Sequence, residues 1–290
     1  MINKGDFKSL SRALTQVENN LDGHVALLQQ IKPNYHVPVI GITGPPGAGK
    51  STLVNALINR LSAGGKYVAV LAIDPTSPFN LGSLLGDRIR MSEQFNKPNV
   101  FIRSLATRGS LGGLSAKTIE MTDVLRAAGF DYILIETVGV GQSEVEIAGL
   151  ADTTVVVLVP ESGDEIQNIK SGLMEIADIF VVNKADREGA DAFVNNLRKL
   201  SGQKEQAIPV IATVASKGTG LDELIQFMEQ QNKHSNPRKN LLIADKAWKL
   251  IQHNLSAHLD KKKLQQDLAE ASQLADFNLY RFVESWIKRS

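Results

Sequence analysis

Gly44-Pro45-Pro46-Gly47-Ala48-Gly49-Lys50-Ser51 is the stretch of sequence that decides the fold. It matches the pattern G-x-x-x-x-G-K-[ST] at every fixed position. An apolar, β-branched run (38–43) precedes it, and a helical pattern (51–61) follows it and ends at Gly64-Gly65. Glycines let backbone N–H groups curl around phosphates, and the N-terminus of a helix adds a partial positive charge. The stretch therefore predicts a phosphate-binding loop between a strand and a helix.

Two side chains of this loop have predicted roles. Lys50 is expected to reach the β- and γ-phosphates of a nucleotide, and the Ser51 hydroxyl is expected to ligate Mg²⁺. The predicted nucleotide-binding residues of the loop are Gly44, Pro45, Pro46, Gly47, Ala48, Gly49, Lys50, Ser51 and Thr52.

Seven short apolar runs surround the loop in sequence and alternate with helical patterns. The runs are 37–43, 67–73, 100–105, 132–136, 153–159, 179–182 and 208–214, and helical patterns include 114–128, 191–200 and 222–231. Continuously apolar strands that alternate with helices are typical of a parallel sheet covered on both faces. We therefore predict an α/β fold, a P-loop NTPase with a mainly parallel, doubly wound sheet.

Helical patterns flank this unit on both sides. Leu10, Leu14, Val17 and Leu21 form one stripe of an amphipathic helix. A second stripe begins after a polar stretch around Pro237, and a last helix is expected near the C-terminus. The predicted organisation is an N-terminal helical extension (1–36), a nucleotide-binding domain (37–232) and a C-terminal helical extension (233–290). The lysine run 261–263 is interpreted as the solvated start of a helix or as a turn.

Composition excludes several classes of function. The chain has 290 residues, a net charge of +1 and acids mixed with bases along its length, so nucleic acid is not an expected partner. It has no cysteine, which excludes disulfides, thiolate metal sites and cysteine nucleophiles. The first ten residues lack an apolar signal-peptide core, and the apolar runs are too short to span a bilayer. The expectation is a cytoplasmic protein that does not enter membranes.

Asn183-Lys184-Ala185-Asp186 follows the sixth apolar run and fits the pattern N-K-x-D. The carboxylate of Asp186 can accept two hydrogen bonds from guanine, from N1–H and from the N2 amino group, whereas adenine lacks this pair of donors. Asn183 is expected either to steady the loop or to meet the edge of the base, and the stem of Lys184 to cover the face of the base. The motif predicts GTP and GDP as ligands.

A second loop strengthens the prediction of guanine. Thr213-Val214-Ala215-Ser216-Lys217 follows the seventh apolar run. It is similar to the S-A-K loop of GTPases, in which a backbone N–H meets guanine O6, although the order here is Ala-Ser-Lys. Ala215, Ser216 and Lys217 therefore join the predicted nucleotide-binding residues.

Three acids follow predicted strands at the edge of the sheet where parallel α/β proteins bind ligands. Asp74 closes one strand, Asp87 lies in the next loop, and Glu136 opens Glu136-Thr-Val-Gly139, where GTPases usually carry D-x-x-G. Hydrated Mg²⁺ prefers one or two carboxylates together with phosphate oxygens. The predicted metal ligands are Ser51, Asp74, Asp87 and Glu136, and the predicted catalytic residues are Lys50, Asp74, Asp87 and Glu136.

Within this set, Glu136 is interpreted as a ligand of metal-bound water, and the Gly139 N–H as a contact of the γ-phosphate. The sequence leaves open whether Asp74 or Asp87 orients the attacking water or holds the metal shell. Val140 occupies the place where signalling GTPases carry the glutamine that orients water. An apolar side chain cannot do this, so we predict slow intrinsic hydrolysis, with another group or a partner completing the site. The polar loops 75–90, 139–146 and 161–170 are expected to move with the γ-phosphate.

With these motifs in view, the chain resembles the MeaB/ArgK-type GTPases, the methylmalonyl-CoA mutase-associated group once called LAO/AO transport ATPases. The resemblance covers nearly the whole chain. It rests on the phosphate loop and on four longer stretches, which are Asp74-Pro-Thr-Ser with Leu85-Gly-Asp-Arg-Ile-Arg-Met91, Arg108-Gly-Ser-Leu-Gly-Gly113, Glu136-Thr-Val-Gly-Val-Gly-Gln-Ser-Glu144, and Gly172-Leu-Met-Glu-Ile-Ala-Asp-Ile-Phe-Val-Val-Asn-Lys-Ala-Asp186.

The resemblance implies a GTPase chaperone for an adenosylcobalamin-dependent acyl-CoA mutase. Such proteins couple GTP hydrolysis to cofactor loading and to protection or rescue of the mutase. They are usually homodimers with helical extensions at both ends of the GTPase domain, which agrees with the two helical stripes found here.

Three other functions compete with this interpretation. A nickel-type metallochaperone GTPase would need Cys/His clusters, but the chain has no cysteine and its five histidines are scattered. A protein-targeting GTPase of the signal recognition type would carry a methionine-rich RNA-binding domain, but the chain has five methionines. An ATP-dependent kinase of an amino acid or another small molecule is disfavoured by the N-K-x-D motif.

Overall fold

The computed structural model describes residues 2–74, 92–106, 116–137, 147–163, 173–202 and 207–233. Toward the C-terminus it describes residues 244, 247–248, 250–252, 255–256, 259–274 and 276–288.

The core of the molecule is a seven-stranded sheet in which every neighbouring pair of strands is parallel, in the order β3-β2-β4-β1-β5-β6-β7. The strands are β1 (Val39–Thr43), β2 (Val68–Asp74), β3 (Val100–Ala106), β4 (Tyr132–Thr137), β5 (Thr153–Leu158), β6 (Ile179–Val182) and β7 (Val210–Ala212). The predicted α/β fold with a parallel sheet is confirmed, and each apolar run of the sequence overlaps one strand, with ends that differ by at most two residues.

Helices cover both faces of this sheet. In chain order the described helices of the whole chain are α1 (Phe7–Glu18), α2 (His24–Gln30), α3 (Lys50–Ala63), α4 (Ala116–Ala127), α5 (Leu173–Ile176), α6 (Ala190–Ser201), α7 (Leu221–Lys233), α8 (Lys261–Ala271) and α9 (Leu279–Ile287), of which α8 and α9 belong to a second unit described below.

Alternate residues of a strand point to opposite faces of its sheet, and β5 shows this directly. Val155 and Val157 belong to a buried cluster with α3 and α7, whereas Val156 and Leu158 belong to a second cluster with α6. Because both faces are buried, the strands read as continuously apolar runs.

The N-terminal helices form one compact unit with the sheet, within Met1–Leu242. Helix α1 buries Leu10, Leu14 and Val17, as the stripe predicts. The fourth residue of the predicted stripe, Leu21, lies beyond the end of α1 and is 50% exposed. Gly23, with a φ of 81°, immediately precedes α2. Phe7 of α1 packs its ring 5.5 Å from the ring of Phe101 on β3. Helix α1 therefore covers the sheet near its edge strand.

The second compact unit is Ile243–Ser290. In it, Asp260 caps α8 at Lys262 N and Lys263 N, so the lysine run does begin a helix. Asn278 caps α9, and the Trp286 indole N–H donates to the Asp267 carboxylate across 2.9 Å. The boundary expected at residue 233 stays a prediction, since residues 234–243 lie outside the described part of the chain. The described helices include none with the length and apolar character that a membrane span requires.

Candidate functional site

The predicted phosphate loop connects β1 to α3 at the carboxyl end of the sheet. Gly44 has a φ of 138°, and a Cβ there would lie 2.1 Å from the Val157 carbonyl oxygen of β5. Gly49 has a φ of 86°, and a Cβ there would lie 2.4 Å from Asn183 Nδ2. Both contacts are too short for any side chain. The spacing of glycines in the motif therefore follows from the close packing of this loop against its neighbours.

Lys50 is buried at the first position of α3. Its ammonium group donates to the carbonyl oxygens of Gly44 and Pro45, at 2.8 and 2.9 Å. The side chain thus lies back over the loop, with its charge where backbone N–H groups and the helix N-terminus also attract anions.

A cleft of about 540 Å³ opens above this loop. It is bounded by the loop, by the carboxyl ends of β2 and β4, and by the loop after β6. Its lining residues are Pro46, Gly47, Gly49, Lys50, Ser51, Thr52, Ala72, Ile73, Glu136, Thr137 and Lys184. The volume lies within the usual range for small-molecule sites.

The predicted metal ligands Ser51 and Glu136 meet at the floor of this cleft. Ser51 Oγ donates to Glu136 Oε1 across 2.5 Å, and Glu136 is buried at the end of β4. A hydroxyl and a carboxylate are the hard oxygen donors that Mg²⁺ prefers, and this ion takes its other ligands from phosphate and water. In the described ranges no three His, Cys, Asp or Glu side chains gather into a metal site of their own. The donor set present fits Mg²⁺.

Three predicted site residues cannot be placed in the same way. Asp74 is the last residue of β2 and pairs in register with Ala106 of β3, so its backbone lies at the same edge of the sheet. The Asp74 side chain, Asp87 and Gly139 all lie outside the described residues. Their roles stay predictions.

Asn183 connects three loops. Its Nδ2 donates to the Ala48 carbonyl in the phosphate loop at 3.0 Å. Its Oδ1 accepts from Thr213 Oγ1 at 3.2 Å and from the Ala215 backbone N–H at 3.1 Å. Of the two roles that the sequence left open for Asn183, these contacts are those of a residue that steadies loops, and its side chain is buried.

Lys184 adopts the left-handed backbone conformation, with a φ of 56°, which is uncommon for a residue with a side chain and is typical of functional loops. Its ammonium donates to the Gly47 carbonyl across 2.8 Å. The stem of Lys184 therefore extends over the cleft from the loop after β6 to the phosphate loop.

Asp186 and Lys217 form an ion pair between the two predicted base-recognition loops. Lys217 Nζ lies 2.9 Å from Asp186 Oδ2, and both side chains are exposed. The hydrogen bond from Lys217 lowers the pKa of the Asp186 carboxyl below its usual value. In the same loop the Lys217 backbone N–H donates to the Val214 carbonyl at 2.9 Å.

Three comparisons with known proteins bear on this site. The model of the family described as methylmalonyl Co-A mutase-associated GTPase MeaB matches residues 10–266. The chain belongs to this family. A MeaB-family protein is a P-loop GTPase, and the phosphate loop, the Ser51–Glu136 pair and the loops around Asn183 all lie within the matched residues.

Individual relatives agree with the family match. The chain is 44% identical to a putative GTPase of Pyrococcus horikoshii, over 98% of this chain and 93% of that protein. It is 39% identical to the mouse protein named methylmalonic aciduria type A homolog, mitochondrial, over 76% of this chain and 56% of that protein. A solved structure described as an LAO/AO transport system kinase has a TM-score of 0.66 at 25% identity, over 98% of this chain and 94% of that one.

Sequence reasoning missed two contacts of this MeaB-family site. Thr137 Oγ1 donates to Thr43 Oγ1 at 3.0 Å, directly below the phosphate loop. Arg187 forms an ion pair with Glu161, which lowers the pKa of the Glu161 carboxyl and links the loop after β5 to the base-recognition loop. The only signal for the second pair was the position of each residue beside a predicted functional loop, which does not identify a partner.

Proposed function

We propose that this chain binds GTP with Mg²⁺ and couples its hydrolysis to the assistance of an adenosylcobalamin-dependent acyl-CoA mutase, through cofactor loading and protection of the enzyme. The observation that carries the nucleotide part is the three-way contact of Asn183, which joins the phosphate loop to both base-recognition loops. Two supports carry the mutase part, namely the family description and the name of the mouse relative.

The phosphates bind above α3. Backbone N–H groups of the phosphate loop and the N-terminus of α3 attract the polyphosphate, and Lys50 turns its ammonium toward the β- and γ-phosphates. The ammonium of Lys50 lies 2.8 Å from the Gly44 carbonyl oxygen, so it is already located within the phosphate loop before a nucleotide binds.

Ser51 and Glu136 would hold Mg²⁺ from the protein side, and Asp74 and Asp87 would be further members of the site. When bound, the ion neutralises charge that develops on the phosphate oxygens. Glu136 would hold the ion or its bound water in a defined position, because its carboxylate is buried and accepts a hydrogen bond from Ser51.

The guanine base lies between the loops after β6 and β7. Asp186 accepts from N1–H and the N2 amino group, Lys184 covers one face of the base, and the loop that contains Ser216 faces O6. Gly139 contacts the γ-phosphate. With Val140 in the place of a water-orienting glutamine, hydrolysis by the chain alone is slow, and the partner completes the site.

The C-terminal unit is proposed to form a homodimer. Along α9, Leu279, Val283 and Ile287 follow one another four residues apart and are 49%, 43% and 61% exposed, while Trp286 is buried. A row of exposed apolar side chains on one helix supports contact with a second copy. Light scattering on the purified chain tests this, and a monomer at micromolar concentration would contradict it.

The experiment that tests the whole proposal is GTP turnover, with ATP as the control nucleotide, measured with and without a cobalamin-dependent acyl-CoA mutase from the same organism. Stimulation of GTP turnover by the mutase is expected. Lys50→Ala should abolish GTP turnover both with and without the mutase, whereas Lys199→Ala, on the exposed side of α6, should leave it unchanged. GTP turnover that no mutase changes would contradict the chaperone part and leave the GTPase part standing.

A further inference from the structure

Lys217 contacts Asp186, the residue that is predicted to recognise guanine, in the absence of a bound base. Its ammonium donates to Asp186 Oδ2 across 2.9 Å, from the 3₁₀ turn Ala215–Lys217 that follows β7. The two loops share no other side-chain ion pair in the described part of the chain.

The backbone on both sides of this pair is fixed. The Lys217 N–H donates to the Val214 carbonyl at 2.9 Å, and Gly218 then turns the chain with a φ of 74°. On the other loop, the Ala185 N–H donates to the Thr213 carbonyl at 3.0 Å, immediately before Asp186. An exposed ion pair contributes little free energy when both side chains lose conformational entropy on pairing. Here the backbone anchors already limit where the two groups can go.

The carboxylate of Asp186 retains acceptor positions for the base while Lys217 is bound to it. A carboxylate offers about four lone-pair positions on its two oxygens, and guanine N1–H and N2 require only two of them. The ammonium of Lys217 has donors but no acceptor, so it cannot accept hydrogen bonds from guanine N1–H or N2 in place of Asp186. Lys217 can therefore stay on Asp186 Oδ2 while the base binds.

We propose that Lys217 determines guanine specificity through Asp186, by holding its carboxylate in the orientation that accepts from N1–H and the N2 amino group. The inference rests on the proposed function, in which Asp186 reads the base. It makes Lys217 a positioning residue, whereas the resemblance to the S-A-K loop alone would have it bind the nucleotide directly.

Inosine diphosphate separates these two roles, because hypoxanthine keeps N1–H and O6 but lacks the N2 amino group. A hydrogen bond to a charged group contributes about 1.5–3 kcal/mol, which corresponds to about tenfold to about 150-fold in affinity. The ratio of the two dissociation constants, for GDP and for inosine diphosphate, therefore reports the orientation of Asp186. A lysine that only packs on the base would affect both nucleotides equally.

The experiment measures both dissociation constants by calorimetry for the full chain and for Lys217→Met, which keeps the apolar stem and removes the ammonium. We expect the preference for GDP over inosine diphosphate to fall at least about fivefold, and Lys217→Arg to restore part of it. Lys199→Met, on the exposed surface of α6, is the matched control and should leave the ratio unchanged. An unchanged ratio in Lys217→Met would overturn the proposal, whether or not both affinities fall together.

Asp186→Ala keeps the failure of this inference apart from the failure of the proposed function. If Asp186→Ala leaves the ratio unchanged, Asp186 does not read the base, and the base-reading part of the proposed function fails together with this inference. If Asp186→Ala abolishes the preference and Lys217→Met does not, only the positioning role is refuted. In the Asp186→Ala background, Lys217→Met should cause no further loss of preference.

Discussion

The hydroxyl of Thr137 donates to the hydroxyl of Thr43 across 3.0 Å, and both side chains are buried at the carboxyl ends of adjacent strands. Thr43 is followed by Gly44 of the phosphate loop, and Thr137 follows Glu136 of the metal site. The bond therefore ties the strand that carries the phosphate loop to the strand that carries the buried carboxylate.

This bond predicts coupling between two substitutions. Thr137→Val should destabilise the fold by about 1–3 kcal/mol, because it leaves the Thr43 hydroxyl buried without its donor. The double variant Thr43→Val/Thr137→Val should be more stable than the sum of the single losses predicts. Urea unfolding of all four proteins measures the coupling. Strictly additive losses would show that the two hydroxyls do not stabilise one another.

The fold could be predicted from sequence because its signals are local. Buried parallel strands are apolar along their whole length, and the phosphate loop has fixed glycine spacing, so both patterns are visible within short windows. The hydrogen-bond partner of Thr43 lies 94 residues away. A threonine within a predicted strand indicates only a β-branched side chain that suits a sheet, and not a hydrogen bond to another strand. Nothing in either window indicates that the two hydroxyls meet.

Contacts between distant segments of the chain could not be predicted from the sequence. The side chain of Arg126 on α4 is buried, and its guanidinium lies 2.5 Å from the carboxylate of Asp152, which is 26 residues away. The same limit applied to Asn183, whose amide bonds to Ala48, 135 residues away. Sequence reasoning could place Asn183 in the right loop, but the choice between steadying the loop and meeting the base depended on contacts from distant segments.

The pairing of Ser51 with Glu136 predicts a change in magnesium dependence. Glu136→Gln keeps the volume of the side chain but removes the charge that would hold the ion, so GTP turnover should fall at least about tenfold, or about 1.4 kcal/mol in the activation free energy. The magnesium concentration needed for half-maximal turnover should rise. Glu175→Gln, at an exposed position of α5, is the control. An unchanged magnesium requirement in Glu136→Gln would exclude Glu136 from the metal site.

The three contacts of Asn183 predict a loss of both stability and nucleotide affinity. Asn183→Ala leaves the Ala215 N–H and the Thr213 hydroxyl buried without their acceptor, and about 1–3 kcal/mol is the usual loss for each such group. GDP affinity should fall as well, because the phosphate loop and the base loops are no longer tied together. Thermal unfolding with and without GDP measures both effects.

Asn195→Ala, on the exposed face of α6, is the matched control for that experiment. If Asn183→Ala lowers stability but GDP raises its unfolding temperature as much as it does for the parent chain, the link between the loops does not contribute to binding.

The ion pair of Asp186 with Lys217 predicts how an altered base preference would arise. In Asp186→Asn the ammonium of Lys217, which can only donate, should select the amide oxygen and direct the amide NH₂ toward the base. That NH₂ group can donate to the C2 oxygen of xanthine, but it repels the N2 amino group of guanine. The preference should therefore move from guanine toward xanthine nucleotides, by about tenfold or more if one hydrogen bond to each base is exchanged.

Competition between GDP and xanthosine diphosphate for the Asp186→Asn variant measures this preference. Lys217→Met/Asp186→Asn should show a smaller shift, because an amide that nothing orients can present either its oxygen or its nitrogen to the base. A variant Asp186→Asn that prefers GDP as strongly as the parent chain would show that Asp186 does not read the base. A shift of equal size in the double variant would show that Asp186 does so without the help of Lys217.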